Sequence, residues 1–561
     1  MKNFLFVVPK FVPEGHYYIF PLGIAYVISY MKQCGFNVSA VNLCHSDEPV
    51  EKQLATAITK DQIDVLCTGA MSCHWNELNS VLEVARRIKP KIITVVGGAI
   101  IISDPMLAMQ NMPIDYGIIG EGEITMAELA VALSNGDDVN RISGIIYRTT
   151  DNCLITTNPR PSISDLDTLP FPDYDALEYD KFLSIKWVNL PAINGILFDI
   201  DEEQRLSEIV TSRSCPFNCT FCYHPLGKKY RQRSLDNVFK EIEYITQKYH
   251  ITLINLIDDL FSINEKRIYE FSQRVIKFNV RWMAQWRVSH VNKQIMKAIK
   301  ESGFLILSLG VESISDKILR SMKKKITRTQ IEQAFKNAGA VGVRACGNII
   351  LGDPEDTEET VNESIDWVKK NPQYEINLGF IKAIPDSQVF RYAMSKNLIN
   401  DKLQYIKERF PIINLTSMDD EKFYRIKRKV DIWAFNKTHL IAGKLISSKK
   451  LSQTYSGANI YTFKVECPLC WHTSKYRYIK YSSKPHTVVL CKHCYKCLKI
   501  NTKDTFYDDY NAVFGYLFHY GYIIYNLYLT RIVFVRNIAR KIRALFKKQL
   551  ASFIDEFPTK I

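Results

Sequence analysis

The stretch TSRSCPFNCTFCYH, residues 211–224, decides how the rest of this chain is interpreted. It contains Cys215, Cys219 and Cys222, which are separated by three residues and then by two. Thiolates are soft ligands that suit iron–sulfur clusters and zinc. A closed zinc site needs four ligands, and His224 would supply the fourth across only one intervening residue, which is tight for a tetrahedral ion. Three thiolates on a four-iron cubane would instead leave one iron open to a substrate or cofactor.

A second group of cysteines lies near the C-terminus. CPLC at 467–470 and CKHCYKC at 491–497 contain two Cys-x2-Cys pairs, the spacing of a zinc ribbon. The expected zinc ligands are Cys467, Cys470, Cys491 and Cys494. Cys497 is a fifth cysteine, so an auxiliary iron–sulfur cluster remains the alternative. Six cysteines lie outside the two groups, and five of them are predicted to be small buried hydrophobic residues: Cys34, Cys44, Cys67, Cys73 and Cys153.

The composition is that of a folded protein with several domains. The 561 residues predict three or four domains, and 47% of them are hydrophobic and 24% charged. The N-terminus lacks the features of a signal peptide, and no run of about 18 apolar residues predicts a spanning helix. Clustered cysteines then favour metal or redox chemistry in the cytoplasm. The net charge of +14 permits an anionic partner without choosing one.

Residues 1–148 alternate short apolar runs, such as FLFVVP and KIITVVGG, with helical stretches. This alternation predicts an α/β domain with a doubly wound parallel sheet. Such sheets bind ligands beyond the carboxyl ends of their strands. Gly97, Gly98 and Gly120 follow predicted strands there, where they serve either close approach to a ligand or merely tight turns.

Residues 149–206 are rich in Pro, Asp and Ser without a period, which predicts a linker. Residues 207–395 resume the alternation, with six predicted strands that are each followed by a helix. Six repeats suit an incomplete form of the eight-fold barrel, a partial (β/α)6 barrel. The cysteine triplet follows the first of these strands, at the end where barrel enzymes place their chemistry.

The pattern Cys-x3-Cys-x-aromatic-Cys, with Phe221 as the aromatic residue, resembles the signature of the radical S-adenosylmethionine (SAM) enzymes. The resemblance implies that Cys215, Cys219 and Cys222 bind a 4Fe–4S cluster whose open iron chelates SAM. It further implies reductive cleavage of SAM to a 5′-deoxyadenosyl radical. The electron would come from a donor such as flavodoxin or ferredoxin.

The same resemblance assigns further cofactor-binding residues. Asp258 or Asp259, after the second strand, would meet the methionyl ammonium, although a helix N-cap is the alternative. Arg287 would pair with the methionyl carboxylate, or else form a surface ion pair. Glu312 and Ser313, in GVES, would face the ribose or the substrate. The family's Gly-x-Pro-Gly-Glu turn is altered here to GDPED at 352–356.

The first domain resembles the cobalamin-binding domain of one branch of that family, through PLGIAYVISYMKQCGFNV, VVGGAIIISDP and DYGIIGEGE. The linker LPFPDYDAL fits the same branch. The motif Asp-x-His-x-x-Gly, whose histidine coordinates cobalt, is absent, and His16, His45 and His74 are isolated. Cobalamin would therefore be held without a histidine ligand, or the domain has kept the fold and lost the cofactor.

Two reactions are common in this branch: methyl transfer to an unactivated position, and cyclisation or rearrangement. Methylthio transfer is a third option, but the scattered cysteines of the first domain do not resemble the extra cluster that it needs. A non-catalytic nucleic-acid- or membrane-binding protein that uses the zinc ribbon and basic tail is the alternative of a different class. The sequence shows no aromatic and basic platform of the RNA-binding type, which argues against nucleic acid.

The C-terminal part is predicted as a helical extension at 396–460, a zinc-ribbon-like module at 461–505 and an aromatic, basic helical tail at 506–561. A basic amphipathic helix either lies on an anionic membrane surface or packs on the barrel. In the first case the substrate would be lipid-linked and the cytoplasmic enzyme membrane-associated. Otherwise we expect a small-molecule substrate.

Overall fold

The computed structural model describes residues 2–14, 18–185, 205–436, 440–453, 459–480 and 486–501. One compact unit comprises residues 1–481 and 488–499. A second unit comprises residues 482–487 and 500–561, most of which lie outside the described residues. The predicted tail at 506–561 and His16 therefore fall outside the description.

The first domain contains a seven-stranded sheet in the order β2-β1-β3-β4-β5-β6-β7. Its first five strands are parallel, as predicted: β1 Asn3–Val8, β2 Asn37–Asn42, β3 Val65–Gly69, β4 Ile93–Gly97 and β5 Tyr116–Ile118. A hairpin of β6 Ile145–Arg148 and β7 Leu154–Thr156 adds two antiparallel strands. The sequence analysis predicted neither strand of this hairpin.

Helices cover both faces of this sheet: α1 Leu22–Gln33, α2 Val50–Lys60, α3 Trp75–Ile88, α4 Ala99–Ser103, α5 Pro105–Asn111 and α6 Gly122–Asn135. Alternate residues of β1 explain this arrangement. Phe4 and Phe6 join the apolar cluster of α1 and α6, whereas Leu5 and Val7 join the cluster of α2 and α3. Successive side chains of a strand point to opposite faces of the sheet. A continuous run of apolar residues therefore requires helices that cover both faces.

The scattered cysteines are not uniformly buried. Cys44 and Cys67 are buried and Cys73 is half-buried, but Cys34 and Cys153 are exposed. The prediction of burial is therefore wrong for the last two. Cys34 follows the last residue of α1, and Cys153 lies in the turn between β6 and β7, so neither position faces a core.

The described part of the predicted linker is packed rather than free. It contains α7, Tyr179–Leu183. The ring of Tyr174 in this segment lies 5.9 Å from the ring of Phe20 in the first domain, as part of an aromatic cluster. The Tyr174 hydroxyl donates to Glu241 at 2.7 Å, and the Tyr179 hydroxyl donates to Ser207 at 2.6 Å. These contacts attach the segment to the second domain.

The second domain is a six-stranded parallel sheet in the order β15-β14-β13-β12-β11-β8. Its strands are β8 Leu206–Ile209, β11 Leu253–Leu256, β12 Arg281–Trp286, β13 Phe304–Glu312, β14 Ala345–Leu351 and β15 Glu375–Phe380. Neighbours in the sheet are neighbours in sequence, and β8 and β15 are not paired with each other. The prediction of an open (β/α)6 barrel is thereby confirmed. A short antiparallel pair, β9 Ser212–Arg213 and β10 Arg231–Gln232, brackets the cysteine triplet.

The helices of this domain are α8 Leu235–Tyr249, α9 Glu265–Val275, α10 Lys293–Glu301, α11 Asp316–Ser321, α12 Arg328–Ala340, α13 Glu358–Lys370 and α14 Gln388–Ser395. Most begin at a Ser, Thr or Asn whose side chain accepts a hydrogen bond from a first-turn N–H. These residues are the preferred N-caps, so the start of each helix is encoded locally.

Beyond the barrel, α15 Lys402–Lys407 and α16 Asp420–Asn436 are followed by strands. They are β16 Ile441–Ala442, β17 Lys444–Gln453, β18 Asn459–Glu466, β19 Thr473–Lys480, β20 His486–Leu490 and β21 Cys497–Asn501. The range 396–460, predicted as helical, thus becomes a strand from residue 441. Tyr461, Phe463 and Val465 alternate on the buried face of β18, which pairs β17 and β19 antiparallel. Among the described residues no helix is long and apolar enough to cross a membrane.

Candidate functional site

The cysteine triplet lies on a loop at the carboxyl end of β8, closed at its base by the pairing of β9 with β10. Cys219 is buried, Cys215 is half-buried and Cys222 is exposed. Ser214 begins the loop with φ +70°, and its hydroxyl donates to the carbonyl of Leu226 at 3.1 Å. The loop therefore has a fixed entry and presents its thiols at the end of the barrel where the sequence predicts the site.

The arrangement of the three cysteines bears on the choice between a single zinc ion and an iron–sulfur cluster. A tetrahedral zinc site holds its sulfurs about 3.8 Å apart. Four cysteines elsewhere form the group of ligand atoms that lie within 4.8 Å of one another, and the triplet, with or without His224, does not form such a group. Within the described residues, the triplet therefore lacks the compact arrangement of a single-ion site.

Asp258 holds the entrance of the cysteine loop. It is only 3% exposed, and one carboxylate oxygen accepts from the N–H groups of Thr211 at 2.6 Å and Ser212 at 3.1 Å. The other oxygen accepts from the hydroxyls of the same two residues, at 2.5 and 2.8 Å. Burial raises the pKa of Asp258, and these hydrogen bonds oppose that shift. With its lone pairs so engaged, this carboxylate supports the loop.

Asp259, the next residue, faces the triplet instead. Its charge acts on the thiol of Cys215 and on His224, and it accepts a backbone hydrogen bond from Ser214. Burial raises the pKa of Asp259, and the neighbouring imidazole of His224 opposes that shift. Of the two aspartates, Asp259 is thus the one placed to meet a ligand at the triplet.

Arg287 lies against the same loop. Its guanidinium carbon is 3.6 Å from the centroid of the Phe217 ring, and its side chain donates to the backbone carbonyl of Lys324. Burial lowers the pKa of Arg287, and the neighbouring thiol of Cys219 opposes that shift. The backbone N–H of Arg287 donates to the hydroxyl of Ser262 at 3.0 Å, which fixes the end of β12. No carboxylate is paired with this guanidinium among the described residues.

Glu312 and Lys324 form a buried ion pair beside the cysteine loop. The Lys324 ammonium donates to the Glu312 carboxylate at 2.7 Å and lies 5.9 Å from the centroid of Phe221. Glu312 has φ +63°, a left-handed conformation that is uncommon for this residue type. The N–H of Thr220 donates to the carbonyl of Met322 at 3.1 Å, so the turn that carries Lys324 also supports the loop.

Sequence analysis missed Lys324. It is the middle lysine of the run KKK at 323–325, and no pattern separates it from its solvent-exposed neighbours. Lys323 and Lys325 both have φ +53°, and this backbone geometry turns the side chain of Lys324 inward. Ser313, which the sequence did single out, is buried and accepts from the N–H of Ser315 at 3.2 Å, a contact at the start of α11.

The glycines of the first domain lie at the carboxyl edge of its sheet. Gly97 ends β4, and a Cβ on Gly98 would approach the carbonyl of Ala70 to 3.0 Å. Gly98 and Gly120 have φ +82° and +95°, and a Cβ on Gly120 would meet open space. The hydroxyl of Tyr223, next to Cys222, donates to the carbonyl of Ala99 at 3.3 Å. This contact places the glycine edge against the cysteine loop.

Buried ion pairs join the two domains beneath that contact. Arg213 donates to Glu121 at 2.7 Å and to Glu123 at 2.6 Å, and Arg231 donates to Glu121 at 2.7 Å. The N–H of Ile163 also donates to Glu121 at 2.7 Å. Burial would raise the pKa of Glu121, but Arg213 and the other donors hold it below its ordinary value. The two arginines flank the cysteine loop in sequence, so this network anchors both ends of the loop to the first domain.

The histidines of the first domain have structural partners. His45 is buried and lies 2.8 Å from the hydroxyl of Tyr18 and 3.1 Å from the carboxylate of Glu178. Burial lowers the pKa of His45, and Glu178 opposes that shift. The ring of His74 packs against that of Phe11, with centroids 4.3 Å apart and an angle of 43° between the ring planes. These contacts do not single out either imidazole as a ligand of cobalt.

The second cysteine group has the geometry of a single-ion site. The sulfurs of Cys467 and Cys494 are 3.7 Å apart, and those of Cys470 and Cys491 are 3.6 Å apart. All four lie within 4.8 Å of one another, close to the spacing around a tetrahedral zinc ion. Cys497 is buried beside Arg344 and Glu375 and is not part of the group. The group therefore fits zinc better than a cluster that uses all five cysteines.

Two family models match the chain over the regions just described. The B12-binding domain matches residues 12–130, and the radical SAM superfamily matches residues 209–368. An uncharacterised methyltransferase of Pyrococcus horikoshii is 30% identical over 419 residues, 73% of this chain and 87% of that protein. The anaerobic magnesium-protoporphyrin IX monomethyl ester cyclase of Rubrivivax gelatinosus is 27% identical, over 69% of this chain and 68% of that protein.

Solved structures show the same arrangement of domains. The radical SAM methyltransferase TsrM from Kitasatospora setae superposes with a TM-score of 0.58 at 18% identity, over 70% of this chain and 76% of TsrM. The cobalamin-dependent radical SAM enzyme OxsB superposes with a TM-score of 0.56 at 16% identity, over 77% of this chain and 62% of OxsB. At these identities the likeness concerns the fold.

Proposed function

Because this chain belongs to the radical SAM superfamily and carries a B12-binding domain, we propose that it transfers a methyl group to an unactivated position of a small molecule with the help of cobalamin. The observation that carries this proposal is the contact of Tyr223 with Ala99. It brings the carboxyl edge of the first sheet, where such domains bind their ligand, against the cysteine loop. Two cofactors held on these two surfaces would share one reaction space.

The residues at the triplet divide the work. Cys215, Cys219 and Cys222 hold the 4Fe–4S cluster, which when bound supplies the electron that cleaves the sulfonium of SAM. The carboxylate of Asp259 accepts hydrogen bonds from the methionyl ammonium, and the guanidinium of Arg287 pairs with the methionyl carboxylate. Phe221 forms part of the wall of this site.

Glu312 and Lys324 act as a neutral pair in this proposal. Lys324 neutralises Glu312, orients its carboxylate toward the ribose and keeps a bare negative charge from being buried beside the thiolates. Ser313 contributes through the start of α11 rather than through direct contact. Asp258 is a positioning residue that holds Thr211 and Ser212 at the entrance of the cysteine loop.

Cobalamin would be held by backbone and shape rather than by a histidine. Gly97, Gly98 and Gly120 keep the carboxyl edge of the first sheet free of side chains, which a large planar ligand needs for close approach. His45 is hydrogen-bonded to Glu178, and His74 packs against Phe11.

Cyclisation is the second candidate reaction, because the cyclase of Rubrivivax gelatinosus is among the relatives. The anaerobically purified chain, supplied with cobalamin and reconstituted with iron and sulfide, separates the two once a substrate is found. Methyl transfer consumes a second SAM and yields S-adenosylhomocysteine together with 5′-deoxyadenosine, whereas cyclisation yields 5′-deoxyadenosine alone. A chain that binds its four irons but releases no 5′-deoxyadenosine with a strong reductant would contradict both.

A reductant of the flavodoxin or ferredoxin kind supplies the electron in this proposal. Contact of the tail at 506–561 with a membrane surface, and hence a lipid-linked substrate, is a further part of the proposal that rests on the sequence pattern. Sedimentation with anionic liposomes, compared between the full chain and a chain ending at residue 505, tests it. Equal sedimentation of the two chains would contradict the proposed contact of the tail with a membrane surface.

A further inference from the structure

A cavity of about 310 Å³ lies on the flank of the second domain, between the starts of α8 and α9. Ser234 and Asn264, the N-caps of these helices, are both in its lining. The helices have 15 and 11 residues, long enough for a developed dipole. Each cap satisfies one N–H of its first turn, and the positive ends of two helix dipoles meet at one cavity.

Arg267, which also lines the cavity, is a buried guanidinium that forms no ion pair with a carboxylate among the described residues. It is 6% exposed, and its Nε is buried without a hydrogen-bond partner among the described residues. One terminal nitrogen reaches the carbonyl of Thr211 only at 3.5 Å. Burial lowers the pKa of Arg267, as expected for a cation removed from water. The neighbouring Tyr230 and Asp258 oppose that shift without forming an ion pair, and the unsatisfied Nε–H remains a costly buried donor.

The other buried arginines make the contrast. Arg231, Arg233 and Arg344 each bind a carboxylate at 2.7 Å or less. Within the described part of the chain, the two buried arginines without a carboxylate partner are Arg287 and Arg267. Arg287 is reserved for a ligand at the cysteine triplet in our proposal. By the same reasoning, Arg267 is reserved for a ligand in the cavity that it lines.

The remaining charges of the lining leave a cationic excess. Lys266 is exposed at the rim. Arg274 pairs with Asp236 at 2.8 Å and with Glu270 at 3.1 Å, so a single cation is shared by the two acidic residues of the lining. The carboxylate of Asp167 takes the N–H of Ser234 at 2.9 Å at the edge of the same helix start. The lining thus has three cations and two anions, an excess of one positive charge, and within the described residues Lys266 and Arg267 are its two cations without an ion pair.

We propose that this cavity binds the phosphoryl group of an organic phosphate. A tetrahedral oxyanion accepts several hydrogen bonds at once, from a forked guanidinium, a lysine and the N–H groups of two helix starts. The volume is at the lower end of that of small-molecule sites, enough for a phosphoryl group and part of the molecule that carries it. The assignment is independent of the reaction proposed above, because it concerns binding alone.

The site is linked to the cysteine loop through one residue. Thr211 offers its carbonyl to Arg267, while its N–H and hydroxyl bind Asp258. A bound anion would draw on the same guanidinium that contacts Thr211, four residues before Cys215. An occupant of the cavity is thus in a position to alter the entrance of the cysteine loop.

Isothermal titration calorimetry of the full chain, loaded with its metals under anaerobic conditions and at constant ionic strength, tests the proposal. The probes are glycerol 3-phosphate, pyrophosphate and inorganic phosphate. We expect one site per chain and a rise in Kd of roughly tenfold in Arg267→Gln and about threefold in Lys266→Ala. The matched control is Lys297→Ala, an exposed lysine of α10 outside the cavity, which should leave Kd unchanged.

The probes also identify the source of the phosphoryl group. Tighter binding of glycerol 3-phosphate than of inorganic phosphate supports an organic phosphate, whereas tighter binding of the free ion would overturn that part of the assignment. Lys266→Ala keeps the test decisive if Arg267→Gln does not fold. The proposal is wrong if the wild-type chain shows no saturable binding in the millimolar range, or if Lys266→Ala and Lys297→Ala weaken binding equally.

Discussion

At the scale of single residues, Asp258 and Asp259 are adjacent in the chain but act on different groups. Asp258 is surrounded by four donors from Thr211 and Ser212, whereas Asp259 faces Cys215 and His224. A carboxylate that is already saturated cannot bind an ammonium as well, so the proposed SAM contact belongs to Asp259.

Matched substitutions separate these two roles. Asp259→Asn should raise the KM for SAM by about tenfold while iron content stays unchanged, because it removes one charge-assisted hydrogen bond. Asp258→Asn should lower the free energy of unfolding by roughly 2–3 kcal/mol and reduce iron retention, since an amide cannot accept from all four donors. Iron analysis and initial rates of 5′-deoxyadenosine formation measure both. The assignment would be reversed if Asp258→Asn changed only the KM and Asp259→Asn only the iron content.

At the scale of secondary-structure elements, the short pair of β9 and β10 matters more than its length suggests. It closes the cysteine loop, and Arg213 and Arg231 at its ends reach across to Glu121 and Glu123 at the start of α6. The loop is therefore held by the first domain as well as by its own barrel.

Glu121→Gln tests this anchor through its pH dependence. Because the pKa of Glu121 is held below its ordinary value of 4.5, its stabilisation is complete above that pH and is lost as the pH falls through the lowered pKa. At pH 7 the variant should lose about 3 kcal/mol of unfolding free energy, since the buried Arg231 loses its carboxylate partner and Arg213 keeps only Glu123. The difference from wild type should shrink below pH 4.5 in urea unfolding curves.

Glu128→Gln is the control for that measurement. Glu128 pairs with Arg160 at the surface, where its side chain is 46% exposed, and such a pair contributes less than about 1 kcal/mol. An equal loss in the two variants, or a difference that does not change with pH, would contradict the anchor.

The two Cys-x2-Cys pairs, which follow β18 and β20, are predicted to bind one zinc ion. Cys470→Ser should abolish bound zinc, leave the four irons in place and lower thermal stability, because one tetrahedral ligand is lost. Cys497→Ser, in a buried cysteine outside the group, should keep its zinc and serves as the control. Mass spectrometry of the bound metals gives the zinc and iron content of both variants. Loss of iron rather than zinc in Cys470→Ser would favour an auxiliary iron–sulfur cluster.

At the scale of the whole molecule, the first compact unit contains two parallel sheets whose carboxyl ends meet. Each sheet would hold its own cofactor, the first on a glycine edge and the second on a cysteine loop. The contact of Tyr223 with Ala99 and the buried ion pairs fix the two edges together. Reactive groups on opposite sides of a substrate would thereby be held in register.

The two cofactor sites are expected to load independently. A triple variant with alanine at Cys215, Cys219 and Cys222 should bind no iron and still bind about one cobalamin per chain, because the B12-binding match covers residues 12–130 and does not include the triplet. Absorption spectra and cobalt analysis of the anaerobically purified variant measure this. Loss of cobalt together with iron would indicate that cobalamin is held by the cysteine loop rather than by the first domain.

The sequence by itself determined the two sheets and the two groups of cysteines. Buried parallel strands are continuous apolar runs, helix starts carry Ser, Thr or Asn caps, and the cysteine spacings are local, so each of these features is visible within a few residues. The resemblance around Cys215, Cys219 and Cys222 then pointed to the family that the comparisons show.

Only the tertiary structure decided how these parts act on one another. The division between Asp258 and Asp259, the inward turn of Lys324, the anchor from Glu121 to Arg213 and the unpaired charge of Arg267 all depend on residues far apart in sequence. Burial and pairing are properties of a side chain's surroundings, and a local pattern cannot specify which distant element will supply the partner. Short motifs therefore identify the metal-binding residues of the chain, whereas contacts between distant elements determine how those residues are positioned and paired.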